Sequence, residues 1–273
     1  FPAAQRGLGG ALAWIAGTGW VGTNHFIFRL LHGRRTAVTI DARLDRSSSW
    51  LVVSNHQSWA DILILFDVLW RRAPLPRFFL KRELIWVPLI GLICWALDMP
   101  FMTRAGKRAI AANSALAQRD LETTRRFCEK YRGQSITVVN FVEGTRCTEA
   151  KRLARQSPHR HLLAPKSGGL AFTLSAMGEQ FAGLVDVTLV YQPTVDDRSK
   201  LWSFLCGEQR DAIVQVVVDR LPTDVLNGDY ASDPAFRGYF HRWIGARWAA
   251  KDALIDQLRA SRQVGRPAQT TGA

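Results

Sequence analysis

Short apolar runs alternate with longer amphipathic stretches along most of this chain. Residues 36–40 and 50–54 are rich in β-branched and aromatic side chains and read as strands, with the polar run 45–49 as the turn of an opening hairpin. A dense apolar run over 62–70 predicts a helix. Residues 104–131 predict a longer one, with Ile110, Leu116, Leu121, Phe127 and Tyr131 turned inward and charges on the other face. Residues 135–141 read as a buried strand. The polar, breaker-rich stretch 147–166 reads as a surface loop. Beyond it the pattern predicts a helix over 169–181, strands over 185–191 and 212–218, and a last helix from Asp233-Pro234 to about Leu258. Strands alternating with helices predict one α/β domain: a mostly parallel central sheet with an initial hairpin, flanked by helices. Its expected extent is 36–260, after a membrane-proximal, membrane-contacting segment at 1–35 and before a disordered tail at 261–273.

Composition narrows the function classes. The 273 residues are 47% hydrophobic and 22% charged, which excludes a disordered or collagen-like chain. Cys94, Cys128, Cys147 and Cys206 lie far apart with no CxxC pair, so neither a zinc cage nor a disulfide framework is expected. A formal charge of +13 has two physical uses, nucleic acid and an anionic membrane leaflet. The ten tryptophans tilt the reading slightly towards the membrane, because indole sits well where an apolar phase meets water, with ordinary core aromatics as the even alternative. Residues 7–28 are uncharged and long enough to cross a bilayer, but they include six glycines. A second uncharged run, 84–97, is too short to span and fits either an interface or a core.

Two polar clusters stand at predicted strand ends. In the first, His56 is followed five positions later by Asp61. A carboxylate there can accept one imidazole N–H and stabilise the imidazolium, which makes the pair a general base for a hydroxyl nucleophile; a structural His at a helix start is the alternative. The second cluster holds Glu143, Gly144, Thr145 and Arg146. A glycine turn aims the guanidinium outward for bidentate phosphate recognition, with Glu143 holding that Arg or a substrate hydroxyl. A solvated Glu–Arg pair is the bland reading. Lys81 and Arg104 stand on either side of the run 84–97 and would bracket an apolar ligand region with phosphate-binding ends. His159, His161 and Cys147 fall in the basic loop and read as surface groups.

These residues together carry a resemblance. Asn55-His56-Gln57-Ser58-Trp59-Ala60-Asp61 resembles the NHxSxxD block, and Phe141-Val142-Glu143-Gly144-Thr145-Arg146 the FPEGTR block, of the glycerolipid acyltransferases, specifically the 1-acylglycerol-3-phosphate (lysophosphatidate) acyltransferase group. The Lys-Arg-Glu-Leu segment at 81–84, the Pro-Phe-Met-Thr-Arg ending at 100–104 and the Pro165–Gly169 stretch resemble intermediate blocks of the same group. Val142 stands where proline is common, and 187–191 lacks the proline of the last block. The resemblance implies transfer of a fatty acyl group from acyl-CoA or acyl-carrier protein to the free hydroxyl of a lysophospholipid, most simply 1-acylglycerol-3-phosphate, giving phosphatidate. It implies His56 as base, Asp61 as its orienting group, Arg104 and Arg146 on the acceptor phosphate, and Glu143 and Gly144 shaping that pocket. It calls for no metal or resident cofactor, with the acyl thioester as co-substrate. The expected setting is the cytoplasmic face of a membrane with anionic lipids, and no nucleic acid.

Two rivals remain at this level. A basic, Trp-rich lipid- or nucleic-acid-binding protein would use His56 and Asp61 structurally. A nicotinamide oxidoreductase would use Gly17, Gly19 and Gly22 as a GxGxxG fingerprint with Asp41 beyond the next strand.

Overall fold

A computed structural model describes residues 19–32, 37–87, 90–103, 115–191 and 212–264. Helix α1 (Val21–His32) precedes strand β1 (Ala37–Ile40), and β2 (Ser49–Ser54) leads into α2 (Ala60–Leu69). Strands β3 (Pro76–Phe78) and β4 (Leu80–Lys81), a 3-10 turn (Arg82–Trp86), α3 (Ile90–Ala96) and β5 (Phe101–Met102) follow. Then come α4 (Ala115–Lys130), β6 (Thr137–Phe141), α5 (Glu149–Ala154), α6 (Ser167–Met177) and β7 (Phe181–Val190). The described chain closes with β8 (Ile213–Asp219), α7 (Thr223–Leu226) and α8 (Pro234–Val264), which continues past the Leu258 stop read from the sequence and through Ser261.

Among the described residues six strands form the main sheet in the order β1-β8-β7-β2-β6-β3, and of its pairs only β7 with β8 is antiparallel. The α/β class and the mostly parallel sheet are as expected. The initial hairpin is not: β1 pairs with β8, and both β8 and β7 separate it from β2, which lies between β7 and β6. Burial explains the separation. Leu51, Val52 and Val53 are all fully buried, which demands cover on both faces and neighbours on both edges. Strand β1 exposes Val38 and Thr39, as suits an edge. The reversal at 45–49 is real, with Asp45 accepting the Ser47 and Ser48 amides at 2.9 and 2.7 Å. It joins strands of opposite direction that are not partners.

Alternation along β2 feeds two cores. Trp50 and Val52 pack with Ile64, Leu65 and Phe66 of α2, whereas Leu51 and Val53 pack with Phe127, Leu170, Leu174, Ile244 and Trp248 beneath α4, α6 and α8. The basic stretch 147–166 is more structured than a loop. Thr148 caps α5 by accepting the Lys151 amide, and Leu162 and Leu163 are fully buried. Cys147 is buried too, which corrects its reading as a surface thiol.

Candidate active site

Parallel pairing decides what meets at the site. Ser54 of β2 lies opposite Phe141 of β6, so His56 and Glu143, each two residues further on, leave the sheet side by side. On the other flank β7 carries the chain to Tyr191. Three adjacent strand ends therefore converge, the usual place for a ligand site in an open α/β sheet.

His56 Nδ1 lies 2.8 Å from Asp61 Oδ2, and the His56 ring stacks on Phe141 with centroids 4.1 Å apart and planes 17° from parallel. The carboxylate of Asp61 is fully buried, but it is not left without compensation. Its Oδ2 also accepts the backbone N–H of Gln57 at 2.6 Å and of Ser58 at 2.9 Å, and its Oδ1 accepts the Tyr191 hydroxyl at 2.5 Å. Four hydrogen bonds satisfy the buried carboxyl group in a dry place. Burial and the Asp61 charge push the Tyr191 phenol well above its ordinary range, so it stays a donor. The tautomer that donates Nδ1–H to Asp61 leaves the ring's lone pair on Nε2, and the side chain is 14% exposed.

Glu143 is a second fully buried carboxylate with a different job. Its Oε1 accepts the His56 backbone N–H at 3.0 Å and its Oε2 accepts the Leu163 N–H at 2.9 Å. Both oxygens therefore accept main-chain N–H groups, contacts that the expectation of a bond to Arg146 or a substrate hydroxyl does not include. Burial pushes its pKa up to about 7, partly offset by these two bonds. The His56 carbonyl in turn accepts the Cys147 N–H at 2.6 Å. The His56 main chain is thus tied to the second cluster at both its N–H and its carbonyl.

Gly144 has φ of 69°, a left-handed conformation that a side chain resists. A Cβ there would also approach Lys166 Cδ at 3.1 Å and Nζ at 3.4 Å, so the turn admits a lysine over its backbone. Lys151 Nζ donates to Thr145 Oγ1 at 3.0 Å and to the Arg146 carbonyl at 3.2 Å. Arg146 itself is exposed, its guanidinium 5.3 Å from the Trp59 ring centroid. The sequence pattern does not mark Trp59, Lys151, Lys166 or Tyr191 as site residues. Trp59, Lys166 and Tyr191 lie within or beside the segments that carry the resemblance, but only the fold shows what they touch.

The remaining expected residues are placed unevenly. Lys81 is exposed and pairs with Glu83 at 3.2 Å. Its strand β4 lies beside β5, with Lys81 opposite Met102, so the two segments that bracket the run 84–97 do come together. Arg104 lies outside the described residues. The bracketed run is no covered slot, for Trp86, Leu92 and Trp95 are exposed. Of the dinucleotide fingerprint, Gly17 is outside the described residues. Trp20 packs edge-on against Phe66, and Asp41 accepts the Val218 N–H. His161, expected at the surface, is bonded on both ring nitrogens, to Asp256 at 2.7 Å and Arg259 at 3.0 Å. Asp252 of α8 accepts the Arg160 and His161 amides, each at 2.8 Å, which fastens the stretch leading to Leu163.

Residues 35–192 match the family model described as Acyltransferase. An uncharacterized acyltransferase of Schizosaccharomyces pombe is 24% identical over 76% of this chain and 59% of its own length. The 1-acyl-sn-glycerol-3-phosphate acyltransferase alpha of Homo sapiens is 36% identical over 43% of this chain and 37% of its own. The delta form from Mus musculus is 27% identical over 76% and 52%. The chain therefore spans between about a third and three fifths of the length of these relatives. A crystal structure of the 1-acyl-sn-glycerophosphate (LPA) acyltransferase PlsC from Thermotoga maritima aligns with TM-score 0.48 at 16% identity, over 88% of this chain and 80% of that one.

Proposed function

The chain belongs to the acyltransferase family, and from that premise we propose that it moves a fatty acyl group from a thioester, acyl-CoA or acyl-carrier protein, to the hydroxyl of a lysophospholipid at a membrane surface. The acceptor we favour is 1-acylglycerol-3-phosphate, the class named for the human and mouse relatives. The observation that carries the reading is the 2.8 Å contact between His56 Nδ1 and a fully buried Asp61.

In this reading His56 Nε2 takes the proton from the acceptor hydroxyl as its oxygen attacks the thioester carbonyl. Asp61 stabilises the imidazolium and keeps the ring's other nitrogen protonated. A C–O bond forms, the C–S bond breaks, and the proton passes from His56 to the leaving thiolate. Arg146, held over Trp59, grips the acceptor phosphate together with Lys81 and Arg104, while Gly144 and Thr145 let the phosphate approach the turn. Glu143 acts one step back, as the brace of the His56 main chain. Cationic surface and substrate chemistry support attachment to the cytoplasmic face of an anionic membrane. Among the described residues no helix is long and apolar enough to cross a membrane.

The test is acyl transfer by the purified chain with a panel of lysophospholipids and both donor types, read by mass analysis of the product lipids. Phosphatidate from 1-acylglycerol-3-phosphate supports the proposal. No acyl transfer to any lysophospholipid, with the chain folded, rejects it.

A further inference from the structure

Between β4 and β5, the described residues of the run 84–97 are apolar whether they turn inward or outward. Leu84, Ile93 and Cys94 pack against the core beneath it, and Leu97 and Met99 are buried there. The opposite face holds Ile85 at 40% exposure, Trp86 at 84%, Val87 at 37%, Leu92 at 64% and Trp95 at 67%. A surface turn that needed only water would carry polar side chains outward, yet 84–97 contains no charged residue. The shape is built. Gly91 is buried, its N–H bonds the Val87 carbonyl at 2.8 Å, and a Cβ there would run into the Ile85 carbonyl. The 3-10 turn and α3 are therefore pressed together, presenting their outer side chains as a small apolar knuckle. At its N-terminal foot stand Lys81, Arg82 and Glu83, all exposed, with Lys81 and Glu83 paired at 3.2 Å and Arg82 adding a further positive charge.

We propose that this knuckle is the surface by which the chain docks on a lipid bilayer, with Trp86, Leu92 and Trp95 entering the boundary between headgroups and acyl chains and Lys81 and Arg82 meeting anionic headgroups. Indole favours that boundary, and exposed apolar side chains above a cationic base fit a monotopic contact. Charge selects the occupant. A second copy would bring the same +13, which repels, whereas an anionic leaflet attracts. The proposal deepens the membrane attachment offered above and rests on it for the choice of lipid. Docking here would also set β4 and β5, and with them Lys81, at the membrane surface from which a lysophospholipid arrives.

The experiment uses the full chain, its Trp86→Ser/Trp95→Ser variant and a separate Leu92→Asn variant. Each is sedimented with vesicles of equal parts phosphatidylglycerol and phosphatidylcholine. The expected result is that the double variant partitions at least about tenfold more weakly and Leu92→Asn falls between. Both should keep the wild-type unfolding midpoint and acyl transfer to a short-chain acceptor held below its micelle concentration. Equal partitioning of the double variant and the wild type overturns the proposal. So does a wild-type chain that ignores these vesicles, or a variant that loses self-association while binding vesicles unchanged, which would assign the knuckle to a second copy. A wild type that docks through this knuckle but transfers no acyl group sinks the enzymatic reading and leaves this inference standing.

Discussion

The two halves of the candidate site are held in opposite ways. Around His56, two fully buried carboxylates accept five hydrogen bonds from main chain, imidazole and phenol with lengths between 2.5 and 3.0 Å, in addition to the Leu163 amide. Around the proposed phosphate end, Arg146 is exposed on the face of one indole and Lys81 is paired with a glutamate in water. Position is built into the first half, and charge is offered by the second. A general base gains from a fixed geometry, since proton transfer needs a short reach and a single tautomer. A phosphate clamp works through charge and can close on its ligand, so it tolerates mobile arms.

Substitutions can break this contrast. The largest effect should come from His56→Ala, which is expected to lower acyl transfer by about 10²–10⁴ in kcat and, by taking one bond from the buried Asp61, to cost about 1–3 kcal/mol of stability. Steady-state assay with calorimetry checks both parts, and unchanged turnover would end the assignment of the base.

Next comes Glu143→Gln. The amide can accept only one of the two backbone N–H groups, so a loss of about 1–3 kcal/mol in stability is expected by denaturant titration. The pH dependence sharpens it. Because burial raises the folded pKa from 4.5 to about 7, the carboxyl's contribution is full below 4.5 and is lost as pH rises through about 7. The stability gap between wild type and variant should therefore narrow over that range. A gap that widens would mean the ionised form is the one the fold prefers.

Smaller and of another kind is Arg146→Ala, expected to raise the acceptor KM about tenfold with stability unchanged within about 0.5 kcal/mol. Arg146→Lys should recover only part, because the fork and the stacking are lost together. Smallest is Lys81→Ala, with stability again within about 0.5 kcal/mol and a KM rise of about twofold to threefold. Equal losses of stability at all four positions would show that the division into a fixed half and an open half is false.

Much of this was legible beforehand. β-Branched runs mark β2, β6, β7 and β8 to within a few residues, and the two polar clusters were read at the ends of β2 and β6. Pairing was not legible, because a strand's pattern tells which faces are covered and not which neighbour lies alongside. That is why β1 and β2 read as a hairpin although β8 and β7 separate them. The same blindness hid Glu143's role. Its partners are main-chain N–H groups at His56 and Leu163, and every non-proline residue has one, so no side-chain pattern announces them. Short strands such as β4 carry too few residues to show a period at all.

Asp252 sits more than a hundred positions downstream of the imidazole, yet only a few bonded links separate them: from α8 to the amides of Arg160 and His161, along the chain to Leu163, and through Glu143 to His56. Anyone trimming this protein to a minimal working unit would therefore meet a hard border inside its carboxy-terminal helix, well past the 35–192 span that matches the family model. Cuts beyond Arg259 should cost little, whereas cuts before Asp252 strip away the fully buried Ile255 and leave His56 without its mooring.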